Sequence, residues 1–180
     1  IVKADGKFGV LKNETIIPFE YDSIFIPRSN SNYNSYNSNK SKPKIKTPNP
    51  QLQPSQIISY LTLEKNNKFG LVNSDGAIIY PADNDAVTNA DSYGYYSVKK
   101  GNLYGIYFSK SADGKKTNIE FDRIFTDGYG AIMASKNQKA GIFNLKGEQI
   151  APFEYDNDFI AQYSSIGYRV AKDKKRGILD

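Results

Sequence analysis

The stretch "KFGVLKNETIIPFEYDSI" at residues 7–24 decides the fold, because a close variant of it returns near the other end of the chain. The variant, "KAGIFNLKGEQIAPFEYDNDF", occupies residues 139–159 and repeats the pentapeptide "PFEYD" without change. Weaker copies at residues 67–87 and 102–124 keep the early Gly and the closing Asp. Self-similarity of this kind is the sequence signature of a repeat architecture.

The repeat period follows from the Gly near the start of each copy. Successive glycines lie about 36 residues apart, except for a first interval that is about 25 residues longer. One insert within that interval makes the array regular, so about four and a half units are predicted, the last one truncated. The glycines are Gly9, Gly70, Gly105, Gly141 and Gly177.

The composition favours strands. The chain has 14 Tyr and 10 Phe, and no stretch holds an amphipathic helical period for three turns. Each unit is predicted to form two or three short antiparallel strands joined by polar turns, and one unit alone cannot bury its apolar face. We therefore predict a single all-β domain over residues 1–180, stacked as an open solenoid or arc, with a closed propeller-like ring as the alternative.

The recurring side chains are predicted to be structural. The aromatic residues before the Gly and before the Asp should stack in a continuous core, and each Asp should close a turn. These positions are Phe8, Gly9, Tyr21, Asp22, Phe69, Gly70, Asp85, Tyr104, Gly105, Phe121, Asp122, Gly141, Tyr155, Asp156 and Gly177.

The repeated segments resemble the WG-repeat family of bacterial proteins, whose units read K-W-G, two hydrophobic residues, a turn with Gly, then I-x-P-x-x-Y-D-x-I. The resemblance covers nearly all of the chain outside the insert. The signature Trp is replaced by Phe8, Phe69, Tyr104, Ala140 and Arg176. The resemblance implies an all-β repeat protein without known chemistry of its own, from a family spread among envelope, secreted and toxin-neutralising proteins. A bacterial periplasm or envelope location is the corresponding expectation.

No enzyme is predicted. Glu20 and Asp22 share one face of a strand, as a glycosidase pair would require. However, the pair recurs as Glu154 and Asp156, whereas an enzyme needs one site. The chain has no Cys and no His, and His is the commonest general base and metal ligand. No catalytic residue, cofactor or metal site is therefore predicted.

The insert at residues 28–56, "RSNSNYNSYNSNKSKPKIKTPNPQLQPSQ", is unlike the rest of the chain. It has no acidic residue, and outside it Lys and Arg match the 19 acidic residues, so the net charge of +5 arises from the insert. Its Pro-rich half should be extended. It is either a tolerated surface excursion or a basic arm that reaches into an acidic cleft of a partner. The candidate contacts are Arg28, Tyr33, Tyr36, Lys40, Lys42, Lys44 and Lys46.

Four tyrosines outside the repeat pattern lie near the junctions between units: Tyr93, Tyr95, Tyr129 and Tyr163. Such tyrosines can anchor a partner protein, or they can fill gaps between units. We predict a non-catalytic protein-binding module, in its most specific form an immunity-type protein that neutralises a bacterial toxin. The alternative is an envelope module that binds an anionic glycan. Nucleic acid is disfavoured because no basic stripe runs along the array. No membrane span is predicted, because no run of about 18 apolar residues occurs.

Overall fold

The computed structural model describes residues 1–11, 15–27, 60–90, 94–126, 130–157, 163–164 and 167–179. Within these ranges the regular elements are all strands, and no helix occurs. The all-β prediction is therefore confirmed.

Seventeen strands are present in the described residues. They are β1 Val2–Ala4, β2 Lys7–Leu11, β3 Thr15–Tyr21, β4 Ser23–Phe25, β5 Tyr60–Lys65, β6 Lys68–Asn73, β7 Ile78–Asn84, β8 Ala86–Ala90, β9 Tyr95–Lys100, β10 Leu103–Phe108, β11 Arg123–Thr126, β12 Ala131–Lys136, β13 Lys139–Asn144, β14 Gln149–Asp156, β15 Tyr163–Ser164, β16 Gly167–Lys172 and β17 Lys175–Leu179.

These strands form five antiparallel sheets, none of which is closed. Sheet 1 is β1-β2-β3, sheet 2 is β4-β5-β6-β7, sheet 3 is β8-β9-β10, sheet 4 is β11-β12-β13-β14 and sheet 5 is β15-β16-β17. The sheets thus have three or four strands, more than the two or three predicted for a unit. The reason is that the residues after each closing Asp, such as Ser23–Phe25, pair with the hairpin that follows them.

In each sheet, one pair of neighbouring strands is joined by a tight turn that contains positive φ angles. Asn66 and Asn67 have φ of 52° and 58°, and Asn137 and Gln138 have φ of 52° and 62°. Two consecutive residues with positive φ form the two-residue turn whose twist matches that of an antiparallel hairpin. Asn tolerates this left-handed conformation better than most residues, which explains its use here.

Gly9, Gly70 and Gly141 lie where a bulged strand of the same sheet passes close by. Gly105 is approached by side chains instead, and Gly177 meets no atom within 4 Å. In sheet 1, Phe8 pairs with Tyr21 and Val10 pairs with Ile17, so extra residues bulge out opposite Gly9. A Cβ on Gly9 would lie 2.7 Å from the carbonyl oxygen of Ile17, closer than side chains tolerate. The bulge also accommodates the proline of "PFEYD", which cannot donate a backbone hydrogen bond.

Four hydrophobic clusters form the core, and each combines side chains from two sheets that are consecutive along the chain. Adjacent residues of an inner strand face opposite neighbours, as the two-residue period of a strand requires. On β13, for example, Ile142 packs in the cluster shared with sheet 5, whereas Phe143 packs in the cluster shared with sheet 3. Sheets 2, 3 and 4 are therefore buried on both faces.

The recurring aromatic residues divide into two groups. Of the aromatic residues that precede the closing Asp, Tyr21 and Phe121 are 4% and 1% exposed and lie within the core. Tyr155 is half-buried and packs against the cluster between sheets 4 and 5. The aromatic residues before the Gly are only half-buried: Phe8 and Tyr104 pack against the edge of a cluster, and Phe69 is also half-buried. Lysine ammonium groups lie over the rings of Phe8 and Tyr104 at 5.2 and 5.6 Å.

Candidate functional site

The two ends of the strands carry different connections and different charged residues. We call them the turn edge and the loop edge. The turn edge carries the two-residue turns at 5–6, 66–67, 101–102, 137–138 and 173–174. The loop edge carries the strand ends that border segments 28–59, 91–93 and 127–129. The two "PFEYD" copies end at the turn edge, and the basic insert is attached at the loop edge.

At the turn edge, the Asp22 side chain links sheet 1 to sheet 2. One carboxylate oxygen accepts the backbone N–H of Asn66 at 2.6 Å, in the first tight turn of sheet 2. The other accepts the Lys7 ammonium at 2.5 Å. The backbone N–H of Asp22 in turn donates to the carbonyl of Glu64 at 2.8 Å. One residue thus fastens the end of its own sheet to the next hairpin.

The same arrangement recurs at the three equivalent aspartates. Asp85 accepts the N–H of Gly101 at 2.6 Å and the ammonium of Lys68 at 2.5 Å. Asp156 accepts the N–H of Lys174 at 2.9 Å and the ammonium of Lys139 at 3.0 Å. Asp122 accepts the N–H of Asn137 at 3.0 Å, but the position that holds the lysine in the other sheets is Leu103.

A second acidic residue, two positions before each Asp, binds a lysine of the next sheet. Each of these lysines is the last residue of a strand and directly precedes a tight turn. Together with the three lysine–aspartate pairs above, these contacts account for all seven ion pairs recorded for the described residues. The pairs are Glu20–Lys65 at 2.5 Å, Asp83–Lys100 at 2.5 Å, Glu120–Lys136 at 2.6 Å and Glu154–Lys172 at 2.7 Å.

The hydrogen bonds of Glu20 and Asp22 keep these two carboxylates ionised. The hydrogen bond from Lys65 lowers the pKa of Glu20, and the hydrogen bonds from Lys7 and then Asn66 lower the pKa of Asp22. The general acid of a glycosidase needs the opposite shift, a pKa raised toward neutrality. The carboxylate pairs of "PFEYD" therefore do not have the electrostatics of an acid–base pair, and their geometry connects consecutive sheets.

At the loop edge, the basic insert takes the place of the connection between β4 and β5. Those strands pair in regular register, with Ser23 opposite Glu64, Ile24 opposite Leu63 and Phe25 opposite Thr62. The sheet is therefore complete on both sides of segment 28–59. The candidate contacts Arg28, Tyr33, Tyr36, Lys40, Lys42, Lys44 and Lys46 lie outside the described residues.

The two described residues that flank segment 28–59 both contact sheet 3. The carbonyl oxygen of Pro27 accepts a hydrogen bond of 2.9 Å from the side-chain amide of Asn89 on β8. The ring of Tyr60 lies 4.9 Å from that of Tyr96 and 5.2 Å from that of Tyr107, measured between centroids. The hydroxyls of Tyr60 and Tyr107 are 3.2 Å apart and form a hydrogen bond.

The structure places the four junction tyrosines differently. Tyr93 and Tyr129 fall in segments 91–93 and 127–129, outside the described residues; these segments connect the same pair of strands in sheets 3 and 4 that the insert connects in sheet 2. Tyr163 is on β15, but its side chain lies outside the description. Tyr95 is 7% exposed and packs in the core between sheets 3 and 4, which favours the gap-filling alternative for this residue.

Sequence reasoning missed the role of Tyr80. Its hydroxyl donates to the carbonyl oxygens of Ile106 at 2.9 Å and Thr117 at 2.8 Å, and burial raises the pKa of this phenol. It thereby holds the irregular stretch after β10 against sheet 3. The only sequence signal for this role is that a tyrosine precedes Pro81, whereas the aliphatic residues Ile17 and Ala151 precede the corresponding prolines.

The described residues lack two other features that would indicate a function. No group of three or more His, Cys, Asp or Glu side chains is arranged to hold a metal ion. Among the same residues, no helix has the length and apolar character needed to cross a membrane.

Residues 69–104 match the family described as "WG containing repeat". The resemblance predicted from the sequence is confirmed over that segment. The matched WG segment runs from Phe69 to Tyr104, which is one period from one half-buried aromatic residue to the next. It includes most of β6, all of β7 to β9, the hydrogen bond between Asp85 and Gly101, and Tyr96, one of the three tyrosines that cluster beside the insert's attachment point. No curated protein and no solved structure matches the chain.

Proposed function

We propose that the chain is a non-catalytic, protein-binding repeat module that holds its partner at the loop edge, with the basic segment 28–59 as the main contact. The observation that carries this proposal is the intact pairing of β4 with β5 on both sides of the segment. Sheets 3 and 4 pair the equivalent strands in the same way across connections of four residues, 91–94 and 127–130, so the sheet does not need a connection of this length. Long connections on a rigid scaffold are where binding residues concentrate.

The charge distribution supports an acidic partner. The seven ion pairs of the described residues lie at the turn edge, where lysines are neutralised by carboxylates of the array itself. Segment 28–59 has five basic residues and no acidic one. An acidic surface on the partner provides the missing counter-charges and speeds association by electrostatic steering.

Deletion of residues 28–56 tests the proposal. Because the deletion leaves the pairing of β4 with β5 intact, the circular dichroism spectrum and the thermal midpoint should stay close to those of the wild type. The partner is captured from the source bacterium with the wild-type protein and identified, and its Kd is then measured for both proteins in purified form. The proposal is wrong if the deleted protein binds the purified partner as tightly as the wild type.

In its most specific form, the module is an immunity-type protein, which the family resemblance motivates. The captured partner should then be toxic when expressed alone in bacteria and harmless when co-expressed with this chain. A partner without toxicity rules out this form and leaves the binding module itself standing.

An anionic glycan is the second candidate ligand, supported by the same group of lysines in a segment without acidic residues. It predicts that binding to a defined polymer such as polygalacturonate falls steeply with salt and is lost when Lys40, Lys42, Lys44 and Lys46 are changed to Ser. Changing Tyr33 and Tyr36 to Ser should leave glycan binding unchanged, because a polyanion contacts the charges. The same change should weaken a protein complex, in which tyrosines act as anchors.

A further inference from the structure

At the loop edge of sheet 3, residues 109–117 form a compact excursion after β10. The N–H of Ser111 donates to the carbonyl of Phe108 at 3.1 Å, and the N–H of Phe108 donates to the carbonyl of Lys115 at 3.0 Å. The excursion therefore leaves the end of β10 and returns to it. The equivalent strands of sheets 2 and 4 are followed by shorter turns.

The end of this excursion is held against sheets 2 and 3. The N–H of Ile106 donates to the hydroxyl of Thr117 at 2.9 Å, and the carbonyl of Thr117 accepts the hydroxyl of Tyr80 at 2.8 Å. The ammonium of Lys116 donates to the carbonyl of Ile79 at 2.5 Å and lies 5.3 Å from the centroid of the Tyr80 ring. These contacts give the excursion a fixed position on the scaffold.

The excursion also meets the turn of sheet 4 at residues 144–148. A Cβ added to Gly94 would lie 3.1 Å from the side chain of Lys110 and 3.3 Å from that of Leu145. A Cβ added to Gly147 would lie 2.7 Å from the ring of Phe108, the last residue of β10. The two connections therefore pack side by side. Three exposed lysines lie on them, and we call these the loop-edge lysines: Lys110, Lys115 and Lys146.

The loop-edge lysines are not neutralised in the way that the turn-edge lysines are. None of them belongs to the seven ion pairs recorded for the described residues. The two connections have four lysines against two carboxylates. Both carboxylates have local partners: Asp113 accepts the hydroxyl of Ser111, and Glu148 accepts the side-chain amide of Asn144 at 2.5 Å. A net positive charge remains at this part of the loop edge.

The loop edge also exposes aliphatic side chains. Among the described strands, the turn edge has one such residue at a strand end, Leu103. Protein interfaces combine apolar area with polar and charged groups, whereas a polyanionic glycan contacts mainly the charges. The mixture of lysines with aliphatic residues therefore favours a protein as the partner. The exposed aliphatic residues at or next to strand ends of the loop edge include Leu11, Ile26, Ile78 and Ile150.

We infer that the loop-edge lysines form a contact surface for an acidic protein partner on the scaffold itself, in sheets 3 and 4. The inference rests on the proposed function for the acidic nature of the partner, but its residues are independent of segment 28–59. Lysines carried by fixed connections offer the partner charges at defined positions. Charges that are complementary across an interface set the orientation of the complex and speed association.

A binding titration with an acidic polypeptide tests the charge contact. The probe is fluorescein-labelled poly-L-glutamate, followed by anisotropy at about 0.15 M salt, where the Debye length is about 8 Å. The variant with Lys110→Gln, Lys115→Gln and Lys146→Gln removes the three charges and keeps most of each side-chain stem. We expect its Kd to rise about tenfold, since three exposed charge contacts are lost together. Its Kd should also depend less steeply on salt.

A matched control removes the same charge from the other edge. Lys3, Lys174 and Lys175 are exposed, lie toward the turn edge and belong to none of the recorded ion pairs of the described residues. Changing all three to Gln should alter the Kd by less than about twofold, because charges farther away than the Debye length are screened. Thermal midpoints of both triple variants should stay close to that of the wild type. Equal weakening by the two triple variants would overturn the inference, because net charge alone would explain it.

A second probe tests the apolar part of the surface. A random copolymer of Glu and Tyr should bind the wild type more tightly than poly-L-glutamate does at the same salt. Ile78→Ser with Ile150→Ser should remove most of that gain while leaving the Kd for poly-L-glutamate unchanged. If the gain is kept in this variant, these aliphatic residues do not contact the partner and the assignment to a protein is wrong.

Polygalacturonate distinguishes a glycan from a protein. The loop-edge lysine variant should lose less affinity for this polymer than for poly-L-glutamate. A larger loss for polygalacturonate would make the surface a glycan site and would overturn the assignment.

The deletion of residues 28–56 separates this inference from the proposed function. In the deleted protein, removal of the three loop-edge charges should still weaken probe binding. If the deletion weakens binding but the loop-edge variant binds as the wild type does, segment 28–59 is the contact and the inference is wrong. If the loop-edge variant is weakened and the deletion has no effect, the inference stands and the proposed role of segment 28–59 fails. If neither change affects binding, both are wrong.

Discussion

The carboxylate of Asp22 accepts a hydrogen bond of 2.6 Å from the backbone N–H of Asn66, a residue 44 positions further along the chain. The contact joins the end of sheet 1 to the first tight turn of sheet 2. The equivalent contact between Asp85 and Gly101 joins sheet 2 to sheet 3. A backbone donor in a tight turn needs an acceptor that is correctly placed, and the closing Asp of the repeat supplies it.

Replacing Asp85 separates its two functions. Asp85→Ala removes the acceptor for the Gly101 N–H together with the partner of Lys68, so we expect the thermal midpoint to fall by a few degrees. Asp85→Asn keeps an amide oxygen for Gly101 and loses only the exposed ion pair, so its effect should be smaller. Thermal unfolding followed by circular dichroism measures both. An Asn variant as unstable as the Ala variant would show that the ion pair dominates.

The repeated Gly offers a matched pair of substitutions. In Gly70→Ala, the new Cβ would lie 2.8 Å from the carbonyl oxygen of Tyr80 and from the backbone of Pro81, and relief requires movement of the main chain. We expect a loss of about 2–4 kcal/mol in the free energy of unfolding. Gly177→Ala, at the same repeat position, meets no atom within 4 Å and should be neutral or slightly stabilising.

Urea unfolding of Gly70→Ala, Gly177→Ala and the wild type checks this prediction, provided that the slope of free energy against urea stays constant. Similar stabilities for the two variants would mean that the bulged strand β7 yields at little cost. The close approach seen at Gly70 would then not explain why the repeat keeps glycine.

Leu103 offers a stabilising substitution. It stands where Lys7, Lys68 and Lys139 bind the closing Asp of their own sheets, and it is 39% exposed. Leu103→Lys should form the corresponding pair with Asp122 and raise stability by up to about 1 kcal/mol at low salt. The gain should vanish near 1 M salt, where exposed charges are screened. Leu103→Gln is the control, and an equal gain for Gln would assign the effect to removal of the exposed leucine.

Stability should fall on the acid side of about pH 4.5. The pKa values of Glu20, Asp22, Asp85, Glu154 and Asp156 lie below their ordinary values, mainly because of bonds from lysines or backbone N–H groups. A lowered folded-state pKa stabilises the protein above the unfolded-state value of 3.8 for Asp or 4.5 for Glu. That stabilisation is lost as the pH falls through the folded-state pKa. Thermal midpoints measured from pH 2 to 8 should show this loss.

Between about pH 5.5 and 8 the thermal midpoint should be nearly flat, because the chain has no His. On the alkaline side, the pKa of Lys172 is raised by the hydrogen bond that its ammonium donates to Glu154, and the pKa values of Tyr21 and Tyr155 are raised by burial. A group whose folded-state pKa is raised stabilises the protein at pH values below its unfolded-state pKa. This stabilisation is lost as the pH rises through the folded-state pKa. A midpoint that changes strongly near pH 7 would contradict this set of contacts.

The sequence predicted those features that repeat. The four complete copies have the Gly and the closing Asp, and the structure explains both positions: a bulged strand passes close to Gly9, Gly70 and Gly141, and Asp22 accepts the N–H of a tight turn. The number of strands per sheet was not predictable, because no turn signal separates Asp22 from Ser23. The chain passes there directly from one sheet into the next.

The features that sequence reasoning missed depend on single side chains. The hydroxyl of Tyr80 forms hydrogen bonds with carbonyl groups 26 and 37 residues further along the chain. No local sequence pattern predicts such a long-range contact. The sequence around Tyr95 does not distinguish it from the neighbouring tyrosines. The two-residue period of its strand nevertheless places its side chain toward sheet 4, in the core. Which side of a strand faces which neighbour becomes known only once the register is fixed.

The alternation of Ile142 and Phe143 between two interfaces limits how this chain can change in length. Adding or removing one residue within β13 would exchange the two side chains and place each against the wrong sheet. Length changes are therefore excluded from the inner strands and can accumulate only in the connections. Segment 28–59 shows how far one connection can grow while the pairing on either side of it is kept. Segments 91–93 and 127–129 join the equivalent strands, so new recognition segments could be grafted there without rebuilding the array.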